Sequence, residues 1–289
     1  MSNTKDSGKT YHDKPTGEAL KTANEHQEPQ DITLFGSWFC PFVQRVWVSA
    51  EYLGIDYKVD PYAKPQDLLE VSPKGLVPGL KLHKYNPPRA LNESTVILEY
   101  LEDLAAGSTK RSLLPPSTHP YARALVRLQC DHVNRALVPA FYRYLQAQDA
   151  EAQIKAGKEF NDALYTLTEL LERAERDIIG GGGAANEGEK RALGVGLGLW
   201  TEGGDLGLTD VMVAPWIYRA GNVLKHYRGF VLPPGKKFEA WVERLSNHPA
   251  FKATCSDEQM YLESYERYAY NRPNTSQVAN AINSGRSLP

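Results

Sequence analysis

The sequence has little cysteine, no long apolar run and almost no surplus of charge, and each shortage removes a class of protein. Only Cys40, Cys130 and Cys255 occur in 289 residues. An odd number at wide spacing suits neither a disulfide framework nor a clustered metal site, so each thiol is judged by its own surroundings and no metal is expected. No stretch approaches the roughly eighteen consecutive apolar residues that a membrane span requires. The N-terminus carries neither an apolar signal core nor an Arg-rich amphipathic pattern, and the expectation is a cytoplasmic protein with no membrane span. Lys and Arg total 33 against 35 Asp and Glu, a net charge of -2, so no basic field exists to hold nucleic acid. What is present is 42% hydrophobic residues, enough to bury a core without covalent staples, in a chain long enough for two domains.

Residues 1–30 are polar and nearly devoid of aliphatic side chains, which predicts a disordered tail. From Ile32 the run ITLFGSWF reads as a buried strand. After Pro41, the residues Val43, Val46, Trp47, Ala50 and Leu53 recur at helical spacing up to Gly54, a C-terminal stop. Strands near Tyr57, Gly79 and Arg89, a short helix from Gln66 and a helix carrying Val96, Ile97, Tyr100, Leu101 and Leu104 complete the order βαβαββα over residues 31–106. Pro115 and Pro116 sit in a Gly, Ser and Thr-rich linker at 107–120. Beyond it the periodicity is helical throughout, and 121–272 reads as an all-helical domain followed by a tail at 273–289. The segment 180–207 is too glycine-rich to sustain a helix and reads as an insertion loop, either a surface excursion or a lid.

Chemistry concentrates at Cys40. A cysteine followed by proline, between a strand and an amphipathic helix, faces unpaired N–H groups and the positive end of the helix dipole, which favour thiolate over thiol. Arg45, one turn on, adds positive charge. The alternative is a buried cysteine acting as a small hydrophobe, the role expected of Cys130 and Cys255, which fall in helical patterns. The fourth residue of the motif is Val43, not a resolving cysteine, so an external thiol must complete any exchange. Val77-Pro78 opens a strand where a cis proline would turn the backbone towards a ligand, although an ordinary trans proline fits equally. Ser94 is a natural N-cap whose neighbourhood also suits a carboxylate, Glu93 beside it suits an ammonium group, and Lys64 is a loop cation for a second carboxylate.

Together LFGSWFCPFVQRVWVSAEYLG, KGLVPGL and LNESTVILEYLEDL resemble the N-terminal domain of cytosolic glutathione transferases, with the Cys-Pro-Phe-Val-Gln-Arg form most like the omega class. The resemblance implies a thioredoxin-like domain with a mixed four-stranded sheet, followed by an all-α domain, in a homodimer that takes glutathione as co-substrate. It further implies Cys40 as the residue forming a mixed disulfide with glutathione. Phe42, Lys64, Leu76, Val77, Pro78, Glu93 and Ser94 would bind the tripeptide, Pro78 as a cis proline, Lys64 at the glycine carboxylate, and Glu93 with Ser94 at the γ-glutamyl end. GLTDVMVAPW resembles the family's helix-capping segment, with Gly207 where Ser or Thr is usual and Asp210 as its acidic member. Trp241 would line the acceptor site, or simply fill the core. The activity implied is thiol transfer: deglutathionylation, dehydroascorbate reduction or reduction of glutathionyl adducts. Conventional conjugation of glutathione to electrophiles and non-catalytic binding of glutathione or apolar ligands stand as alternatives.

Overall fold

The computed structural model describes residues 12–61, 65–109, 111–181 and 186–289. Helix α1 (Gly17–Glu25) precedes β1 (Ile32–Gly36), α2 (Pro41–Leu53), β2 (Lys58–Pro61), α3 (Pro65–Val71), β3 (Gly79–Leu82), β4 (Arg89–Asn92) and α4 (Ser94–Gly107). The sheet order is β2-β1-β3-β4, with β1 parallel to β2 and antiparallel to β3. All five residues of β1 are buried, and Leu34 pairs with Val59 on one side and Leu80 on the other. A central strand covered on both faces needs a continuous apolar run, which is why ITLFG does not alternate. Gly54 ends α2 in the left-handed region at φ 68°, its N–H reaching the carbonyls of Ala50 and Glu51. The order βαβαββα and the mixed sheet are those of a thioredoxin-like domain.

The rest of the chain is helical: α5 (Pro120–His132), a π turn at Val133–Leu137, α6 (Val138–Gln146), α7 (Ala150–Glu175) and α8 (Glu187–Leu197). After these come α9 (Leu208–Arg219), α10 (Lys225–Arg228), α11 (Lys236–Asn247), α12 (Pro249–Lys252), α13 (Glu258–Ala269) and α14 (Gln277–Asn283). Helix α2 packs against α4 on one side and α9 on the other, so the helix that follows Cys40 is shared between the sheet and the helical half. The capping segment holds as the sequence implied. Asp210 accepts from the N–H of Gly207 at 2.9 Å, from that of Leu199 at 2.8 Å and from Trp241 Nε1 at 2.8 Å. Gly207 occupies the cap without a side-chain acceptor of its own, so the carboxylate of Asp210 ties three segments together. Among the described residues, no helix is long and apolar enough to cross a membrane.

Four expectations are corrected. The segment expected as a tail contains α1, whose Ala19, Thr22 and Ala23 are buried. Thr22 Oγ1 donates to the Ala253 carbonyl at 2.7 Å, and the ring of His26 stacks on Tyr57 at 4.0 Å while its Nε2 lies 3.0 Å from Glu51. Small side chains do the packing here, so the stretch lacks the aliphatic signature that marks a core helix. The 180–207 segment holds α8, begun by Asn186, whose Oδ1 accepts from the N–H of Glu189 at 2.9 Å. Its glycines serve close approach: a Cβ on Gly196 would stand 2.5 Å from Pro115 Cα. The 273–289 tail contains α14, whose Ala279 and Ala281 are buried. Cys255 lies in the turn after α12, not within a helix.

Candidate functional site

Cys40 stands at the N-cap of α2, directly after the all-buried β1 and a three-residue turn. Its amide donates to Ser37 O and its carbonyl accepts from Gln44 N, both at 3.0 Å, which locks the residue into the strand-to-helix corner. Pro41 is the first helical residue, where a missing N–H costs nothing. Sγ lies 4.0 Å from the Val77 carbonyl, across the mouth of the turn that enters β3. The Val77–Pro78 bond is cis.

Two cavities meet here. One of about 630 Å3 is walled by Cys40 with Trp38, Phe39, Tyr142, Tyr265 and Tyr268. The second, about 380 Å3, is lined by Arg45, Pro78, Glu93, Ser94 and Asn134. Phe42, Leu76, Val77 and Val278 border both. The described candidates Cys40, Phe42, Leu76, Val77, Pro78, Glu93 and Ser94 thus line one or both of two adjoining cavities, although they come from three separate segments of the sequence. Lys64 lies outside the described residues. Glu93 takes φ 68°, a strained value for a non-glycine residue, and sits at the N-cap while Ser94 begins α4. Trp241 belongs elsewhere: it is fully buried, bonded to Asp210 and packed on Trp200 at 5.8 Å, so it fills the core and the acceptor-site role falls.

The electrostatics of the sulfur depart from expectation. Burial pushes the Cys40 thiol above its ordinary value, although the residue keeps partial exposure; the amides of Val43 and Phe42 and the cations of Arg219 and Arg45 pull it down without prevailing. The helix terminus therefore acts in the foreseen direction, but the desolvation that comes with burial outweighs it. Burial likewise pushes the other two thiols up, each to about 12, as suits inert packing residues.

Sequence reasoning missed Arg219. This fully buried residue of α9 sends Nη2 to the Phe39 carbonyl at 2.9 Å and Nη1 to Gln44 Oε1 at 2.7 Å and Pro215 O at 2.8 Å. Its guanidinium also lies 4.5 Å from the Tyr261 ring centroid. It holds the residue before Cys40 and the residue one turn after it. One signal was available: Arg219 is the sole charged residue between Val211 and Leu224.

Residues 39–104, the stretch from the turn through α4, match the family model of the glutathione S-transferase N-terminal domain. The probable glutathione S-transferase GSTU1 of Oryza sativa subsp. japonica is 31% identical over 202 residues, covering 66% of this chain and 76% of the rice protein. The chain belongs to the glutathione S-transferase family. It is also similar to the pyrimidodiazepine synthase of Drosophila melanogaster, 27% identical over 85% of this chain and 90% of that protein. The crystal structure of glutathione transferase Omega 3C from Trametes versicolor superposes with a TM-score of 0.70 at 34% identity, covering 89% of this chain and 98% of the other. The Trametes structure shares the arrangement of thioredoxin-like sheet and following helices described above.

Proposed function

We propose that this transferase moves thiols rather than conjugating them, with glutathione in the second cavity and Cys40 as nucleophile. The observation that carries the reading is the position of Sγ, in the wall of the acceptor cavity and beside the backbone of Val77, which borders the glutathione cavity too. The Cys40 thiolate attacks a disulfide between glutathione and a substrate thiol; a Cys40–glutathione disulfide forms and the substrate leaves as a thiol. A second glutathione thiolate then attacks that disulfide, releasing oxidised glutathione and restoring Cys40. Val77 holds the cysteinyl backbone, Glu93 and Ser94 the γ-glutamyl end, Lys64 the glycine carboxylate, and Phe42, Leu76 and Pro78 shape the groove between. The similarity to an omega transferase of known structure supports this assignment. Family likeness further suggests a homodimer of two-domain subunits, joined at residues 107–120 and working in the cytoplasm.

Conventional conjugation is favoured by a different observation. A thiol pushed up by burial stays protonated and can donate S–H to the sulfur of bound glutathione, leaving that sulfur to attack an electrophile. The rice relative named as a probable glutathione S-transferase is consistent with it. Assaying a glutathionylated peptide beside a halonitroarene separates the two. Thiol transfer requires turnover of the peptide and its loss in Cys40→Ser; high conjugation that survives Cys40→Ser, with no peptide turnover, sinks it.

A further inference from the structure

Arg45 is a charged group with no evident counter-charge. It lies on α2 with 1% of its surface exposed, between the rings of Trp216, 4.3 Å from Cζ, and Phe42, at 5.3 Å. Nε donates to the Met212 carbonyl at 2.8 Å and Nη1 reaches Ser94 Oγ at 3.4 Å, while Nη2 is buried and unpartnered. Among the described residues no carboxylate pairs with this cation. A buried ion without a partner is costly and is ordinarily removed by selection or neutralised by a change of protonation. Here burial draws the guanidinium down to about 9, still charged at neutral pH. Arg219 makes more contacts: three hydrogen bonds and two aromatic faces surround its guanidinium, although its Nε too is buried without a partner, and it borders neither cavity. Arg45 does border one: it lines the second cavity beside Glu93, Ser94 and Asn134.

We propose that Arg45 is the counter-ion for the α-carboxylate at the γ-glutamyl end of glutathione, reaching it from the floor of the cavity alongside the hydroxyl of Ser94. The assignment rests on the glutathione reading above. Its chemistry is specific: the free Nη2 supplies a charge-assisted donor in an apolar cradle of Trp216 and Phe42, while Glu93, on the same rim, is the right sign for the adjacent ammonium group. The zwitterionic end of the tripeptide would thus meet one cation and one anion. A ligand that lacks its carboxylate would leave the guanidinium without a counter-charge.

The test uses calorimetric titration of the full chain with S-methylglutathione and with S-methylated 4-aminobutyryl-Cys-Gly, which keeps the amine and lacks only that carboxylate. In Arg45→Met, affinity for S-methylglutathione falls about 10- to 100-fold while affinity for the truncated ligand is unchanged within about 2-fold. Arg45→Lys retains the charge but not the second nitrogen, and should lose about 3- to 10-fold for the carboxylate ligand alone. If the methionine variant fails to fold, the lysine variant decides. Equal losses for both ligands in whichever variant folds would make Arg45 a structural residue of the α2–α9 contact and overturn the assignment, leaving the glutathione reading intact. No binding of S-methylglutathione to the unaltered protein would overturn that reading and this one together.

Discussion

Replacing Gly196 by alanine sets two opposed effects against each other, and the structure says which wins. Alanine is the better helix former by about 1 kcal/mol, so propensity alone calls for a more stable α8. A Cβ at this position, however, would fall 2.5 Å from Pro115 Cα, 2.7 Å from Pro115 N and 3.1 Å from the Leu114 carbonyl carbon. These are backbone atoms that cannot swing aside, and they belong to a buried turn that also supplies the Leu113 carbonyl to Leu208 N at 2.7 Å. Relieving the overlap means moving α8 or that turn, and overpacking of this kind costs about 1–3 kcal/mol or more. Net destabilisation of about 1–2 kcal/mol is expected, a fall in Tm of about 2 °C per kcal/mol for a chain of this length. Gly221 is the internal control. It also lies in a helical segment, but nothing stands within 4 Å of where a Cβ would sit, so Gly221→Ala should gain about 0.5–1 kcal/mol. Urea melts of both variants read the difference. A Gly196→Ala protein as stable as the parent would refute the close approach of α8 to Pro115, and with it the view that this glycine serves contact rather than looseness.

Further outcomes follow from the site and its supports. Cys40→Ala should abolish thiol transfer, and the alkylation rate of Cys40 in the parent should climb with pH through a midpoint above that of an ordinary thiol, because burial holds the proton on and only the base form reacts; a midpoint near neutrality, read from iodoacetamide kinetics, contradicts the electrostatic account. Asp210→Ala strands three donors, those of Gly207, Leu199 and Trp241, and should cost about 3 kcal/mol or more in a urea melt, whereas a loss under about 1 kcal/mol would show that these groups find other partners. The docking of α1 should depend on pH in a defined sense. Glu51 is held below 4.5 by its bonds to His26 and Tyr57 despite burial, so its contribution is present above that value and lost as pH falls further; His26 is raised above 6.5 chiefly by Glu51, so its contribution is present below 6.5 and lost as pH rises through the raised value. Amide protection factors in α1, corrected for intrinsic exchange, should therefore be higher at pH 5.5 than at pH 8.5, and His26→Leu should flatten that difference; equal protection at both values in the parent would argue against a stabilising His26–Glu51 contact.

Much of the first half was legible because its signals are local. Strand β1 announces itself as an apolar run, Gly54 as a helix stop, and Cys40-Pro41 as a helix start, and each needs only its neighbours to be read. The gathering of Cys40, Val77 and Ser94 around two adjoining cavities was implied by likeness to known transferases, since no spacing rule brings three distant segments together. What escaped was decided by distant partners. Helix α1 hides its burial in alanine and threonine, and α8 carries glycines that look like flexibility until Pro115 is placed against them. The state of the Cys40 sulfur escaped for the same reason. The helix terminus that lowers it is written in the adjacent residues, but the burial that outweighs it is set by the tertiary fold, in which Tyr142 of α6 and Tyr265 of α13 wall the same cavity.

The reach of Arg219 across the molecule has a consequence for anyone recombining such chains. The carbonyl it grips, on Phe39, and the side-chain amide it grips, on Gln44, belong to the half that carries Cys40, yet the grip itself is encoded some 175 positions later. A chimera that grafts a foreign helical half onto this sheet inherits a different hand on the turn that leads into Cys40. Reactivity of the cysteine would then travel with the donor of the helices, not with the donor of the cysteine.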